Sequence, residues 1–219
     1  MTDYSEEEQI ERLRKWWDEN GTSIIVAVVL SVGALLGWRY WQDSSQRQAG
    51  EASAIYQQMM GAIEQVKMVP GNDGPVQQAR SSAELLIEEH PRSAYADYAR
   101  LALAALAVQN EAYDEAITQL RAVMDKPASE AMGWTARARL ARVLLHTADL
   151  EGASKVLNAS WPAAWQGQAF ELRGDVARSQ GDMAAARDAY QSALAVLAND
   201  GAGHRELVQM KIDDLVPAS

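Results

Sequence analysis

Residues 24 to 38 read IIVAVVLSVGALLGW, without one charged side chain, and no other stretch restricts the chain so strongly. With its flanks the run extends from Thr22 to Trp41, 20 residues. At about 1.5 Å of rise per residue, a helix of that length crosses the ~30 Å hydrocarbon core of a bilayer. Ser31 is its strongly polar member, and a serine hydroxyl can bond back to a carbonyl of its own helix. Arg39 stands near the end, where a long stem carries the guanidinium to the headgroups. Trp16, Trp17, Trp38, Tyr40 and Trp41 bracket the run, as amphipathic rings do at a membrane surface. A core helix of a water-soluble body would show polar positions within four turns. The segment is therefore expected to be a single N-terminal transmembrane helix over 22–41.

A cleaved secretory signal needs a basic leader and small residues at the cut. Here Glu6, Glu7, Glu8 and Glu11 precede the run and Trp38, Arg39, Tyr40 and Trp41 close it, so an uncleaved anchor is expected. Arg12, Arg14 and Lys15 before the span outnumber Arg39 and Arg47 after it, which favours a cytoplasmic N-terminus. The expected layout is a cytoplasmic tail over 1–21, the span over 22–41, a Gln/Ser/Ala/Gly tether over 42–49 and a soluble domain over 50–219. In the tail, Ile10, Leu13, Trp16 and Trp17 share one side of a short helix over 4–19, which fits a lipid surface and a solvated tail equally. Asn20-Gly21 is the expected break before the span.

Beyond the tether the chain is all-α. Strict alternation is absent, and prolines fall at helix boundaries: the loop Pro70 to Pro75, then Pro91, Pro127 and Pro162. Phe170, Gly174, Ala177, Ala186, Tyr190 and Ala193 follow the tetratricopeptide pattern, with Gln180-Gly181-Asp182 at the turn between the helices of the unit. Small residues recur because antiparallel helices joined by a short turn approach closely only where Gly or Ala sits at the crossing. The frame fits twice upstream. Ala141, Ala153 and Leu157 take the equivalent positions in one unit and Ala104, Ala116 and Leu120 in the other. The anchor alanines Ala116, Ala153 and Ala186 are 37 and 33 residues apart, which predicts an inserted loop around Lys126 to Ser129. Residues 52–68 and 76–89 are expected to form a degenerate first pair, and His204 to Leu215 a closing helix with Val208, Ile212 and Leu215 on one stripe. The expected fold is a helical-hairpin solenoid of tetratricopeptide type.

Composition removes most chemistry. With 20 basic and 30 acidic residues the net charge is −10, which repels phosphate backbones and argues against nucleic acid. No cysteine is present, so disulfides, thiol catalysis and iron–sulfur clusters are excluded. His90, His146 and His204 lie in different units without metal-ligand spacing, and no phosphate-loop, dinucleotide or nucleophile-elbow motif occurs. No catalytic, cofactor or metal residue is expected.

A repeat stack offers a surface instead. The groove-facing positions are Tyr98, Leu101, Ala105 and Val108, then Thr135, Ala138, Arg142 and Leu145, then Gln168, Glu171, Asp175 and Arg178. Tyr98, Leu101, Val108, Arg142, Leu145 and Arg178 are the candidate partner-binding residues. The first two sets are so apolar that either a protein segment or another part of the chain should cover them. Arg137, Arg139 and Arg142 cluster within two turns and should meet acids on neighbouring helices or on a partner. Trp161-Pro162-Ala163-Ala164-Trp165 is either a second interaction surface or, the preferred expectation, a pair of aromatic plugs between repeats. Gly33 and Gly37 form a small-xxx-small pair through which another membrane helix could approach.

The acidic tail, the span ending in Gly37-Trp38-Arg39-Tyr40-Trp41, the Ala-rich repeats and the closing Gln209-Met210-Lys211-Ile212-Asp213-Asp214-Leu215 together resemble the YfgM-type ancillary subunits of the bacterial Sec translocon. The resemblance covers nearly the whole chain. It implies a Gram-negative inner-membrane protein with a periplasmic repeat domain and no enzymatic step. The implied partners are the Sec translocon channel, a membrane-anchored periplasmic chaperone of prolyl-isomerase type and unfolded secretory chains. A structural subunit of another envelope complex, using the same groove, is the competing reading.

Overall fold

The computed structural model describes residues 6–69, 71–197 and 202–215. Residues 1–5 of the expected tail, Pro70, and residues 198–201 and 216–219 of the expected soluble domain lie outside them. Every regular element among the described residues is a helix: α1 (Glu6–Met68), α2 (Asp73–Glu89), α3 (Ala94–Gln109), α4 (Tyr113–Asp125), α5 (Glu130–His146), α6 (Leu150–Leu157), α7 (Ala163–Ser179), α8 (Met183–Val196) and α9 (Ala202–Asp213). The chain divides into two units, Met1–Glu51 and Ala52–Ser219.

In the first unit α1 keeps its apolar side chains out in the open. Ile25 is 54% exposed, Leu30 68% and Leu36 60%. Only 6% of the most apolar window is buried, the opposite of a core helix. Such a surface is unstable in water and satisfied in lipid, where every backbone group is already bonded within the helix. Ser31 Oγ donates to the Ala27 carbonyl at 2.7 Å, removing the one polar group from contact with lipid. Two expectations are corrected here. Asn20-Gly21 does not break the helix, because Asn20 Nδ2 donates back to the Trp16 carbonyl at 3.0 Å and the Trp17 ring lies against Gly21. Residues 42–49 are helical too. Gln, Ser, Ala and Arg are adequate helix formers, so a polar composition alone does not unwind a helix already nucleated on both sides.

The second unit is a stack of helical hairpins: α3 with α4, α5 with α6, and α7 with α8, preceded by residues 52–68 of α1, whose Ala52, Met59 and Ala62 share core clusters with Ala79, Ala83 and Leu86 of α2. The sequence frame is met position by position. Ala104 and Ala141 are buried at the crossings, as are Ala116, Ala153 and Ala186 opposite them and Leu120, Leu157 and Tyr190 beside them. Gly174 shows why small residues are needed, since a Cβ there would lie 2.4 Å from the Tyr190 ring. Asn110-Glu111-Ala112, Thr147-Ala148-Asp149 and Gln180-Gly181-Asp182 make three copies of one turn. Glu111, Ala148 and Gly181 all adopt positive φ, at 60°, 61° and 82°. The next residue in each turn donates to the carbonyl five back, at 2.8, 2.9 and 3.0 Å.

The unequal repeat spacing comes from helix length rather than from an inserted loop. Helix α4 has 13 residues and α6 only 8. Helix α6 stops early because its last carbonyls have side-chain partners: Trp161 Nε1 and Arg173 Nη2 donate to Leu157 O, and Arg137 Nη1 to Val156 O. Residues 126–129 are an ordinary connection, pinned where the buried Asp97 accepts from the Ala128 N–H at 2.6 Å. The Pro70–Pro75 loop is also shorter than expected. Asn72 caps α2 through the Gly74 N–H, so Asp73, Gly74 and Pro75 form its first turn, where proline lacks no needed donor. Trp161 is a plug as expected, buried and 5.0 Å from Trp134.

Candidate functional site

Three helices of the second unit line an opening in the stack, a cavity of about 540 Å³. Helix α3 supplies Tyr98, Leu101 and Ala105, and α5 supplies Met132, Thr135 and Arg139. The third wall is Tyr56, Met60 and Ile63 from the end of α1, spaced i, i+4, i+7 and therefore on one face. The sequence assigned 52–68 to a cap, and this stripe was the signal that it also lines the groove. Tyr56 stands 5.6 Å from Tyr98 and 5.2 Å from Tyr95, ring to ring. Tyr98 remains 45% exposed, whereas Leu101 is buried under its neighbours.

The candidate residues therefore part company. Tyr98 and Leu101 meet in the cavity, joined by Ala105 and Thr135. Val108, Arg142 and Leu145 lie outside it, Val108 and Arg142 exposed and Leu145 half-buried against the core. Ala138 is wholly buried. The apolar strip is thus partly covered by the chain itself and partly open. Gly33 and Gly37 have nothing within 4 Å of where a Cβ would stand.

At the other end of the stack the groove positions are closed. Glu171 is buried and Asp175 half-buried, and both face Lys211 of α9. Lys211 Nζ donates to Glu171 Oε1 at 2.7 Å and to Asp175 at 2.7 and 2.8 Å. His204 Nε2 lies 2.9 Å from Glu171 Oε2, and the Tyr190 hydroxyl donates to Asp175 Oδ1 at 2.8 Å. Burial is the largest influence on the Glu171 carboxyl and pushes it up. The hydrogen bonds and charges of Lys211 and His204 outweigh it and hold Glu171 below the ordinary range. Tyr190 is raised, chiefly by burial and then by its bond to Asp175. Two carboxylates converging on one lysine, with Glu171 held below the ordinary range, suit a clasp better than acid catalysis, which requires a raised carboxyl. Lys211 stands within the closing motif, yet nothing in its spacing disclosed which carboxylates it would meet. Arg178, the last of the predicted positions, is exposed beside this cluster.

The remaining histidines sit at helix ends. His90 is the C-cap of α2, and His146 Nε2 lies 2.9 Å from the Tyr113 hydroxyl. No group of three metal-ligating side chains converges among the described residues.

The tetratricopeptide repeat-like domain family matches residues 14–217. Relatives from several bacteria carry the name ancillary SecYEG translocon subunit. The one from Escherichia coli is 30% identical over 213 residues, and the one from Haemophilus influenzae 28% over 210. That from Aggregatibacter actinomycetemcomitans is 29% identical over 210 residues. Each alignment spans 96% of this chain and 97% of the relative.

Proposed function

The chain belongs to the tetratricopeptide repeat-like family that includes the ancillary SecYEG translocon subunits, and from that premise we propose that it is a membrane-anchored scaffold at the Sec channel. The observation that carries this reading is end-to-end similarity to proteins of that name, span and repeats together, rather than similarity of the repeats alone. The exposed apolar face of α1 supports an inner-membrane, single-pass address. The count of basic residues supports a cytoplasmic N-terminus and a periplasmic repeat unit.

In this reading position is the whole mechanism, with no bond made or broken. Anchoring confines the groove to the membrane that holds the channel, so an emerging chain meets it at an effective concentration on the order of millimolar. Unfolded secretory chains and a membrane-anchored chaperone of prolyl-isomerase type are the partners the groove would serve, with Tyr98 and Leu101 as its contact residues and Val108, Arg142, Leu145 and Arg178 as its flanks. Gly33 and Gly37 are the surface on which a helix of the channel would pack. Affinity purification in mild detergent tests the assignment: channel subunits should co-purify with the full chain. Recovery of a division or wall-synthesis complex in their place would transfer the scaffold to that assembly.

A further inference from the structure

The walls of the groove between α1, α3 and α5 contradict the charge of the chain around them. The chain carries 30 acidic residues against 20 basic ones, yet the cavity is lined by Lys67 and Arg139 and by no carboxylate. Lys67 is already engaged by Glu64 at 2.8 Å. Arg139 is not. It is exposed at the rim, and among the described residues it has neither a carboxylate nor a hydrogen-bond partner. One turn further along the same face of α5, Arg142 faces the neutral Gln168, whose amide, once turned to put its oxygen toward the guanidinium, accepts from Nη2 at 2.7 Å. Among the described residues no carboxylate forms an ion pair with Arg137, Arg139 or Arg142, so the acids expected on neighbouring helices do not balance this cluster. A guanidinium at the lip of an apolar cavity presents a planar donor fork with little competing water on one side, which suits a carboxylate.

We propose that this groove takes a peptide segment that sets an apolar side chain into the cavity beside Tyr98 and a carboxylate against Arg139. The inference rests on the groove being the docking surface of the scaffold and adds the chemistry of what docks. Apolar burial against Tyr56, Met60 and Leu101 supplies affinity, and Arg139 selects among apolar segments by the charge that follows the anchor. Segments bearing lysine or arginine at that place are disfavoured by like charge.

The test uses the full chain in detergent micelles and three fluorescent amphipathic peptides, identical except for Glu, Gln or Lys placed after the apolar anchor. Polarisation titrations should give about tenfold tighter binding for the Glu peptide than for the Gln peptide, and weaker binding still for Lys. Arg139→Gln should erase the difference between Glu and Gln. Arg139→Glu should invert the order in favour of Lys, and Tyr98→Asp should abolish binding of all three, with circular dichroism unchanged in each variant. Equal affinities, no binding by any peptide, or a Glu preference that survives Arg139→Glu would overturn the proposal. So would crosslinks from position 98 that join two copies and block the peptide, which would assign the groove to self-association. Failure of the channel to co-purify removes the cellular assignment and leaves these affinities untouched, whereas equal affinities remove the proposal and leave the channel association standing.

Discussion

The two ends of the repeat stack use equivalent positions in opposite ways. In α3 and α5, Tyr98, Leu101 and Thr135 open onto a cavity with apolar walls and a basic rim. In α7, Glu171 and Asp175 lie under α9 and are neutralised by its lysine. An apolar surface left open can accept many segments, since contact area is tolerant of sequence. A carboxylate pair with one member buried and the other half-buried accepts only a closely placed cation. The first end suits exchange of partners, and the second suits a fixture.

The largest effect should come from removing the cation at the closed end. Lys211→Met leaves Glu171 with His204 alone and Asp175 with the Tyr190 hydroxyl, and should destabilise the C-terminal hairpin by about 3 kcal/mol. Hydrogen exchange should quicken in α8 and α9 while α3 keeps its protection. Equal loss at both ends would break the contrast. Next, Gly174→Ala drives a methyl group into Tyr190 and should cost about 2 kcal/mol, read as a lower urea midpoint.

Acid should then separate the ends without mutation. The folded Glu171 pKa lies below its ordinary value of 4.5, so its contribution is complete above that pH and fades as the pH falls below it. Exchange in α9 should rise below about pH 4.5, and Glu171→Gln should flatten that part of the profile. A profile that stays steep in the variant would assign the acid sensitivity elsewhere. The smallest effect concerns the turns, which both ends share. Glu111→Gly and Ala148→Gly place glycine at positive φ and should each stabilise by about 0.5–1 kcal/mol in thermal melts.

The anchor and the repeat frame were legible in the sequence because each depends on residue type at fixed spacing. The uncharged run is sized to a bilayer and its acidic and aromatic flanks argue against a cleaved signal, and Ala or Gly at each crossing is required by helix contact. The turn at Gly181 was legible from its glycine, whereas Glu111 and Ala148 hold the same conformation without one. What escaped was set by partners distant in the chain. The early stop of α6 depends on Trp161, Arg137 and Arg173 reaching its last carbonyls, and no local propensity encodes that. The third wall of the groove is made by Tyr56, Met60 and Ile63, which precede the recognisable repeats. The cover over Glu171 and Asp175 belongs to a helix that follows them. Polar composition also misled at residues 42–49, since it reports solvent contact and not helix breakage.

The repeated turns bear on how the molecule assembles. Each hairpin closes through contacts a few residues apart, so its formation needs no distant segment and can proceed as the chain emerges. Helix α9 follows every hairpin of the stack, and until it docks, Tyr190 and Ala193 lack the apolar cover of Val208, Ile212 and Leu215. A chain that folds from its N-terminal end would therefore complete its open groove first and leave a sticky flank exposed last, for the interval that Lys211 takes to arrive.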